Sequence, residues 1–162
     1  MDAGAIRIVE VAPTSPPAEQ ALHAYLDDVA SRYYGRPATD AELEAALAEH
    51  PTDDLVAPHG VFLLAMLDDE VCGCVGLVRV EDQVGEVRRL YVGREHRRLG
   101  LGRRLMTEVE HRCRAMGMVE LRLDTRRDLV ESQRLYASLG YRETPPHSGG
   151  PYSDHWYRKR LA

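Results

Sequence analysis

Arg97-Arg98-Leu99-Gly100-Leu101-Gly102 is the stretch that most restricts how this chain can fold. It lies between a strand-like run, Val87 to Val92, and a long amphipathic helical pattern reaching Met116. Two glycines separated by one residue let the backbone turn tightly ahead of a helix, so that successive N–H groups converge on one point. That point suits an anion. Arg94, Arg97, Arg98, Arg103 and Arg104 surround it with positive charge and with planar donors matched to phosphate oxygens. The stretch reads as a pyrophosphate cradle, and its flanking elements separate that reading from a merely flexible loop.

The charge distribution agrees with this. Residues 1–85 hold 16 acids and 4 bases, residues 86–114 hold 4 acids and 9 bases, and the whole chain has a net charge of −5. The basic segment therefore coincides with the glycine stretch. An acidic first half would repel a polyanion, so nucleic acid is not the expected partner. At 162 residues with 44% apolar content, one domain spanning 1–162 is expected. No run approaches the roughly 18 apolar residues that would cross a bilayer, and the N-terminus lacks a leader pattern. No membrane partner and a cytoplasmic location are expected. Cys72, Cys74 and Cys113 lack the paired spacing of a zinc site, and no metal is expected. Cys72 and Cys74, two apart on a strand, should share one face as small buried hydrophobes.

Taken in order, Ile6 to Val11 reads as a strand closed by Pro13–Pro17. Ala21, Leu22, Tyr25, Leu26, Val29 and Ala30 mark a helix that ends by Gly35. Thr39 and Glu42 have capping-box spacing for a second helix, which Pro51 closes. Val61–Leu67, Val71–Val80 and Val84–Val92 form a meander. In its third strand the spacing of three between Val87 and Leu90 predicts a bulge. Leu105, Met106, Val109 and Cys113 form the apolar stripe of the helix after the glycine stretch, with Gly117 as its stop. A strand at Val119–Leu123, a helix at Leu129–Leu139, a loop at Thr144–Tyr152 and a strand at Asp154–Leu161 complete the chain.

From Glu86 to Tyr141 this series resembles the GNAT superfamily of acetyl-CoA-dependent N-acetyltransferases. Arg97, Gly100 and Gly102 match the family's acetyl-CoA motif, and Leu135, Tyr136, Gly140 and Tyr141 match its later Leu-Tyr-x-x-x-Gly-Tyr motif. The resemblance implies an α/β fold with a mixed, mostly antiparallel sheet, helices on both faces and a splayed, V-shaped cofactor cleft. It implies acetyl-CoA as co-substrate, held by Leu90, Tyr91 and Val92 and by the stretch Arg97, Arg98, Leu99, Gly100, Leu101, Gly102 and Arg103. Main-chain groups of Leu90 and Val92 would meet the pantetheine arm. Tyr136 would be the acid for the leaving thiolate, and Glu86 the base, acting through water. Where many relatives carry Asn-x-x-Ala before the Leu-Tyr pair, this chain has Leu129 and Ser132.

For the acceptor, the residues on offer are Asp53, Asp54, His59, His147, Tyr152 and His155, and the acidic first half suggests a small cationic amine. A protein N-terminus or lysine, and an acyl-CoA sensor without turnover, are the alternatives; a homodimer is possible in this family. A dinucleotide-binding oxidoreductase would need a third glycine where Leu105 stands and a βαβ repeat in place of the meander.

Overall fold

Val61 to Leu67 is apolar without interruption, a pattern that a strand sustains when both of its faces are covered. In the computed structural model, which describes residues 6–49, 51–149 and 152–161, this run is the second strand of a seven-stranded sheet. The strands are β1 (Ile6–Glu10), β2 (Gly60–Leu67), β3 (Glu70–Glu81), β4 (Val84–Val92), β5 (Glu120–Thr125), β6 (Arg142–Thr144) and β7 (His155–Arg160), arranged β1-β2-β3-β4-β5-β7-β6. All neighbours are antiparallel except β4 and β5, which run parallel. Four helices accompany the sheet: α1 (Pro16–Tyr34), α2 (Asp40–Glu49), α3 (Leu101–Ala115) and α4 (Val130–Ser138).

Two cores result, one on each face. Phe62 and Leu64 pack with Ala18, Ala21 and Leu22 of α1. Val61, Leu63 and Ala65 pack with Leu101, Leu105 and Val109 of α3, and Tyr136 of α4 joins this second core. The local signals explain the helix ends. Thr39 Oγ1 accepts from Glu42 N at 3.2 Å while Glu42 Oε1 accepts from Thr39 N at 2.9 Å, the reciprocal bonds of a capping box. Gly117, at φ 83, follows α3, and Met118 N reaches back to Cys113 O at 3.1 Å.

Two sequence expectations change. Cys72 and Cys74 lie on opposite faces, Cys72 in the α3 core and Cys74 in the α1 core. The cause is a bulge: Ala65 pairs with Gly73 and Met66 with Val71, so Cys72 is an extra residue that reverses the alternation. The loop expected from Thr144 starts one residue later, because Thr144 closes the short edge strand β6, for which the sequence pattern gave no element, against β7.

The predicted bulge in β4 is present. Cys74 faces Tyr91 and Gly76 faces Arg88, so Val75 alone spans Arg89 and Leu90, and Arg89 takes a left-handed φ of 56. Beyond this point β4 follows β3 and β5 follows β7. The parallel pairing of β4 with β5 covers only Val84–Glu86 and Glu120–Arg122, and the two strands then separate into a V.

Gly73 is where β3 allows the bulged strand this close. A Cβ there would stand 2.4 Å from the Tyr91 carbonyl oxygen. Gly73→Ala should therefore lower stability by about 2–3 kcal/mol in urea unfolding. Gly149→Ala, with nothing within 4 Å of the added carbon, should stay within about 0.5 kcal/mol of the parent.

Candidate active site

The chain leaves β4 through a single 3-10 turn, Arg94–His96, and both Arg98 and Gly100 then adopt left-handed backbone, with φ of 69 and 76. Gly100 occupies the N-cap of α3 with no side-chain cap. The first helical bond runs from Arg104 N to Gly100 O at 3.1 Å. The N–H groups of Leu101, Gly102 and Arg103 precede it and have no partner within the helix. Gly102 keeps this end open: a Cβ would lie 3.0 Å from Leu135 Cδ2. Bare, clustered donors at a helix N-terminus fit a pyrophosphate.

The arginines divide by partner. Arg97 donates through Nε to the Val92 carbonyl at 3.0 Å and through Nη2 to Asp28 at 3.3 Å, so it ties the loop to β4 and α1. That bond also occupies the Val92 carbonyl expected to be free for the pantetheine arm. Arg103 donates to Ser138 Oγ at 2.9 Å, and Arg104 points away, to the Ile6 carbonyl at 3.2 Å. Leu99 is 50% exposed and outside the cleft. Arg94 and Arg98 line the cleft without a carboxylate partner among the described residues.

A cleft of about 1430 Å³ runs from this loop, past Leu90, Tyr91, Val92 and Tyr136, to α1 and α2. Tyr136 sits at its middle, buried against Tyr141 and Tyr157 with ring centroids 6.0 and 5.9 Å away. Burial above all, then the nearby Tyr25 and Asp124, push its phenol well above the ordinary tyrosine range, while a hydrogen bond with Ser132 opposes the shift. A phenol kept protonated at neutral pH is suited to giving up a proton only when a strong base appears beside it. At the neighbouring departure from the family pattern, Gln133 Nε2 donates to the Arg126 and Arg127 carbonyls at 3.0 and 3.1 Å and secures the chain entering α4.

Glu86 does not reach the cleft. Arg88 Nε donates to its Oε1 and Arg122 Nε to its Oε2, each at 2.9 Å, and the residue is 8% exposed. It belongs to the last paired rung of β4 and β5, opposite Arg122. The carboxylate that does line the cleft beside Tyr136 is Asp124. It accepts from Ser148 Oγ at 3.2 Å and Ser153 Oγ at 2.8 Å, and no cation pairs with it among the described residues. The sequence pattern ended that strand at Leu123; the additional pairs Asp124–Trp156 and Thr125–His155 carry it into the cleft wall.

Of the acceptor candidates, Tyr152 lines the cleft mouth, where its ring meets Tyr33 at 5.4 Å. Asp53 and Asp54 line a smaller cavity of about 380 Å³ that shares Glu49 and Arg89 with the main cleft. Asp54 Oδ2 accepts from Arg88 at 2.7 Å. His59 is exposed and away from both, and His155 pairs with Glu143 at 3.1 Å. His147 lies outside the lining with both ring nitrogens buried and unbonded; burial, then Arg122, lowers its pKa below the usual histidine value. Among the described residues no three His, Cys, Asp or Glu side chains converge where a metal could sit.

The sequence model of the Acetyltransferase (GNAT) family matches residues 19–141. An uncharacterized N-acetyltransferase of Schizosaccharomyces pombe is 34% identical over 122 residues, 73% of this chain and 73% of that protein. A solved GNAT-family acetyltransferase from Staphylococcus aureus superposes with a TM-score of 0.77 at 21% identity, covering 98% of this chain and 100% of that one. The PaiA N-acetyltransferase of Thermoplasma acidophilum, solved in complex with coenzyme A, gives 0.73 at 20% identity over 96% and 98%. The mixed α/β architecture with its seven-stranded sheet and four helices is that of these structures.

The buried thiols and phenols predict a dependence of stability on pH. Burial raises Cys74 and Tyr25 to about 12 and Cys113 to about 11, and it raises Tyr136 further. Unfolded thiols lose their protons near pH 8.5 and phenols near pH 10. Above those values the folded state holds more protons than the unfolded one, so stability is full below about pH 8.5 and falls as pH rises. The urea midpoint should decline from about pH 8.5 and more steeply above about pH 10, with Tyr136→Phe flattening the second part. A midpoint level to pH 11 would mean that these groups reach water in the native state.

Proposed function

Because the chain belongs to the acetyltransferase (GNAT) family and is therefore an acyltransferase, we propose that it transfers the acetyl group of acetyl-CoA directly to the primary amine of a small molecule. One observation carries the proposal. A single cleft joins the glycine loop to the α1–α2 side of the sheet through the gap between β4 and β5, with the buried Tyr136 at the passage. The bare N–H groups of Leu101, Gly102 and Arg103, together with Arg94 and Arg98, hold the pyrophosphate. The edge of β4 that β5 leaves after Glu86 faces the pantetheine arm. Acetyl-CoA supplies a thioester carbonyl open to attack by a neutral amine.

Asp124 receives the acceptor's ammonium and relays its proton to solvent, since it lies beside Tyr136 and has no cationic partner among the described residues. A nitrogen–carbon bond forms and the carbon–sulfur bond breaks. The ammonium gives up two protons in all: one leaves through Asp124, and the other restores the proton that Tyr136 hands to the departing thiolate. Glu86 takes a different part from that expected of a base. It fixes Arg122 and Arg88 at the apex of the V. A peptide N-terminus is the second acceptor class, supported by the exposed rings of Tyr33, Tyr34 and Tyr152 around the mouth.

Calorimetric titration with acetyl-CoA, followed by free-thiol release against panels of amines and peptides, tests the reading. Micromolar binding with amine-dependent release is expected. Tyr136→Phe should bind acetyl-CoA within about twofold of the parent and lose about 10²- to 10³-fold in kcat, the usual contribution of a positioned acid. Asp124→Asn should lose about 10- to 100-fold in kcat/KM for the amine. Binding without release would leave a sensor, and unchanged turnover in Tyr136→Phe would remove the phenol from the mechanism.

A further inference from the structure

The arginines on the α1 side of the cleft are not equivalent. Arg32 pairs with Glu131 and with Asp28, and Arg126 holds both oxygens of Asp128 at 2.8 Å. Arg89 forms no ion pair among the described residues. Its Nη2 donates to the Pro51 carbonyl at 3.0 Å, while Nη1 is buried with no hydrogen-bond partner among the described residues. A desolvated guanidinium with an unused donor is costly, and a carboxylate is the group that matches its planar fork. The chain also strains its backbone here, since the bulge holds Arg89 at a φ of 56. Both observations fall on one residue of the cleft wall.

Asp124 is the complementary case. It stands across the gap on β5, supported by two serine hydroxyls and unmatched by any cation. Tyr25 of α1, which lines the same cleft, has Arg89 and Asp124 among the charged groups acting on it. Arg89 and Asp124, neither ion-paired among the described residues, thus line a single cleft, in which Glu49 of α2 is a further carboxylate without a cation and lies with Arg89 along the small cavity. We infer that the acceptor is a zwitterion, an amino acid whose carboxylate pairs with Arg89 while its amino group lies at Asp124. This rests on the acetyltransfer reading above and names its substrate class. It also replaces the purely cationic amine expected from the acidic first half of the chain.

The internal competitor is Asp54. Its Oδ2 is given to Arg88, but its Oδ1 is buried without a donor, and it lines the small cavity together with Arg89. If Asp54 neutralises Arg89, the guanidinium has only a structural task, and the test must separate the two.

Thiol release from acetyl-CoA is measured with each of three amino acids beside the amine formed by removing its carboxylate: phenylalanine with phenethylamine, arginine with agmatine, lysine with cadaverine. At least one amino acid should exceed its partner amine by about 10- to 100-fold in kcat/KM, the range of a charge-assisted pair. Arg89→Gln should collapse that ratio towards one, chiefly through KM, and Arg89→Lys should retain part of it. Release with the amines at equal or higher efficiency would overturn the zwitterion while leaving acetyltransfer intact. A preserved ratio in Arg89→Gln, accompanied by a lower Tm, would assign Arg89 to Asp54. Absence of release with all six compounds while the wider amine or peptide panel gives release would overturn the zwitterion alone, and absence with every panel would defeat acetyltransfer as well.

Discussion

Glu86 and Arg122 form the last rung on which β4 and β5 are hydrogen-bonded, and their side chains close an ion pair at 2.9 Å on that same rung. The cleft lies beyond it. Arg88 adds a second guanidinium to Glu86 and passes the connection to Asp54, so the loop between α2 and β2 is tied to the apex as well. Half-buried charges in such a chain are held in place because removing one leaves its neighbour desolvated and uncompensated. The apex can therefore be rigid while the strands above it part. A parallel pair that continued to Val92 would have sealed the sheet and left no passage from one face to the other.

The parting of the strands has two further causes, both in β4's own neighbourhood. The bulge at Arg89 gives β4 an extra residue relative to β3 and turns its upper half. On the other side, β5 keeps its pairing with β7 as far as Thr125. The two halves of the sheet thus each satisfy their backbone groups by following the outer neighbour. What remains along the inner edges, together with the uncapped start of α3, is a set of donors and acceptors facing a common space. A thioester cofactor with a polyanionic end and a peptide-like arm is complementary to that set.

Charge behaves differently in three dimensions from its distribution along the chain. Part of the acidic first half is paired in the fold. Glu10 pairs with Arg112, Asp28 with Arg97, Glu42 with Arg36 and Asp54 with Arg88, and in three of these pairs the arginine belongs to the basic segment 86–114. These three pairs join the first half to the second. Among the described residues that form no ion pair, Arg89, Asp124 and Glu49 line the acceptor side of the cleft and Arg94 and Arg98 its loop side. Counting charges along the sequence gives them no more weight than the rest.

Local chemistry made much of this legible from residue order alone. The glycine spacing of Gly100 and Gly102 requires a tight turn before a helix wherever it occurs. Thr39 and Glu42 carry their capping bonds within three residues, and the skipped period between Val87 and Leu90 encodes the bulge in β4. These features depend on neighbours in the chain, so the chain specifies them. Glu86 looked like a base because its strand position matched, yet which atoms meet its carboxylate depends on Arg122, 36 residues away, and on the register that sets them side by side. Asp124 went unnoticed because only pairing with β7 extends its strand. Cys72 and Cys74 were assigned one face by alternation, and a bulge against β2 separated them. The sequence by itself determined the turns, the caps, the apolar stripes and the glycine turn ahead of α3, all set by interactions between near neighbours. Tertiary structure alone decided which charges cancel and which remain to meet a substrate, because that depends on contacts between residues far apart in the chain.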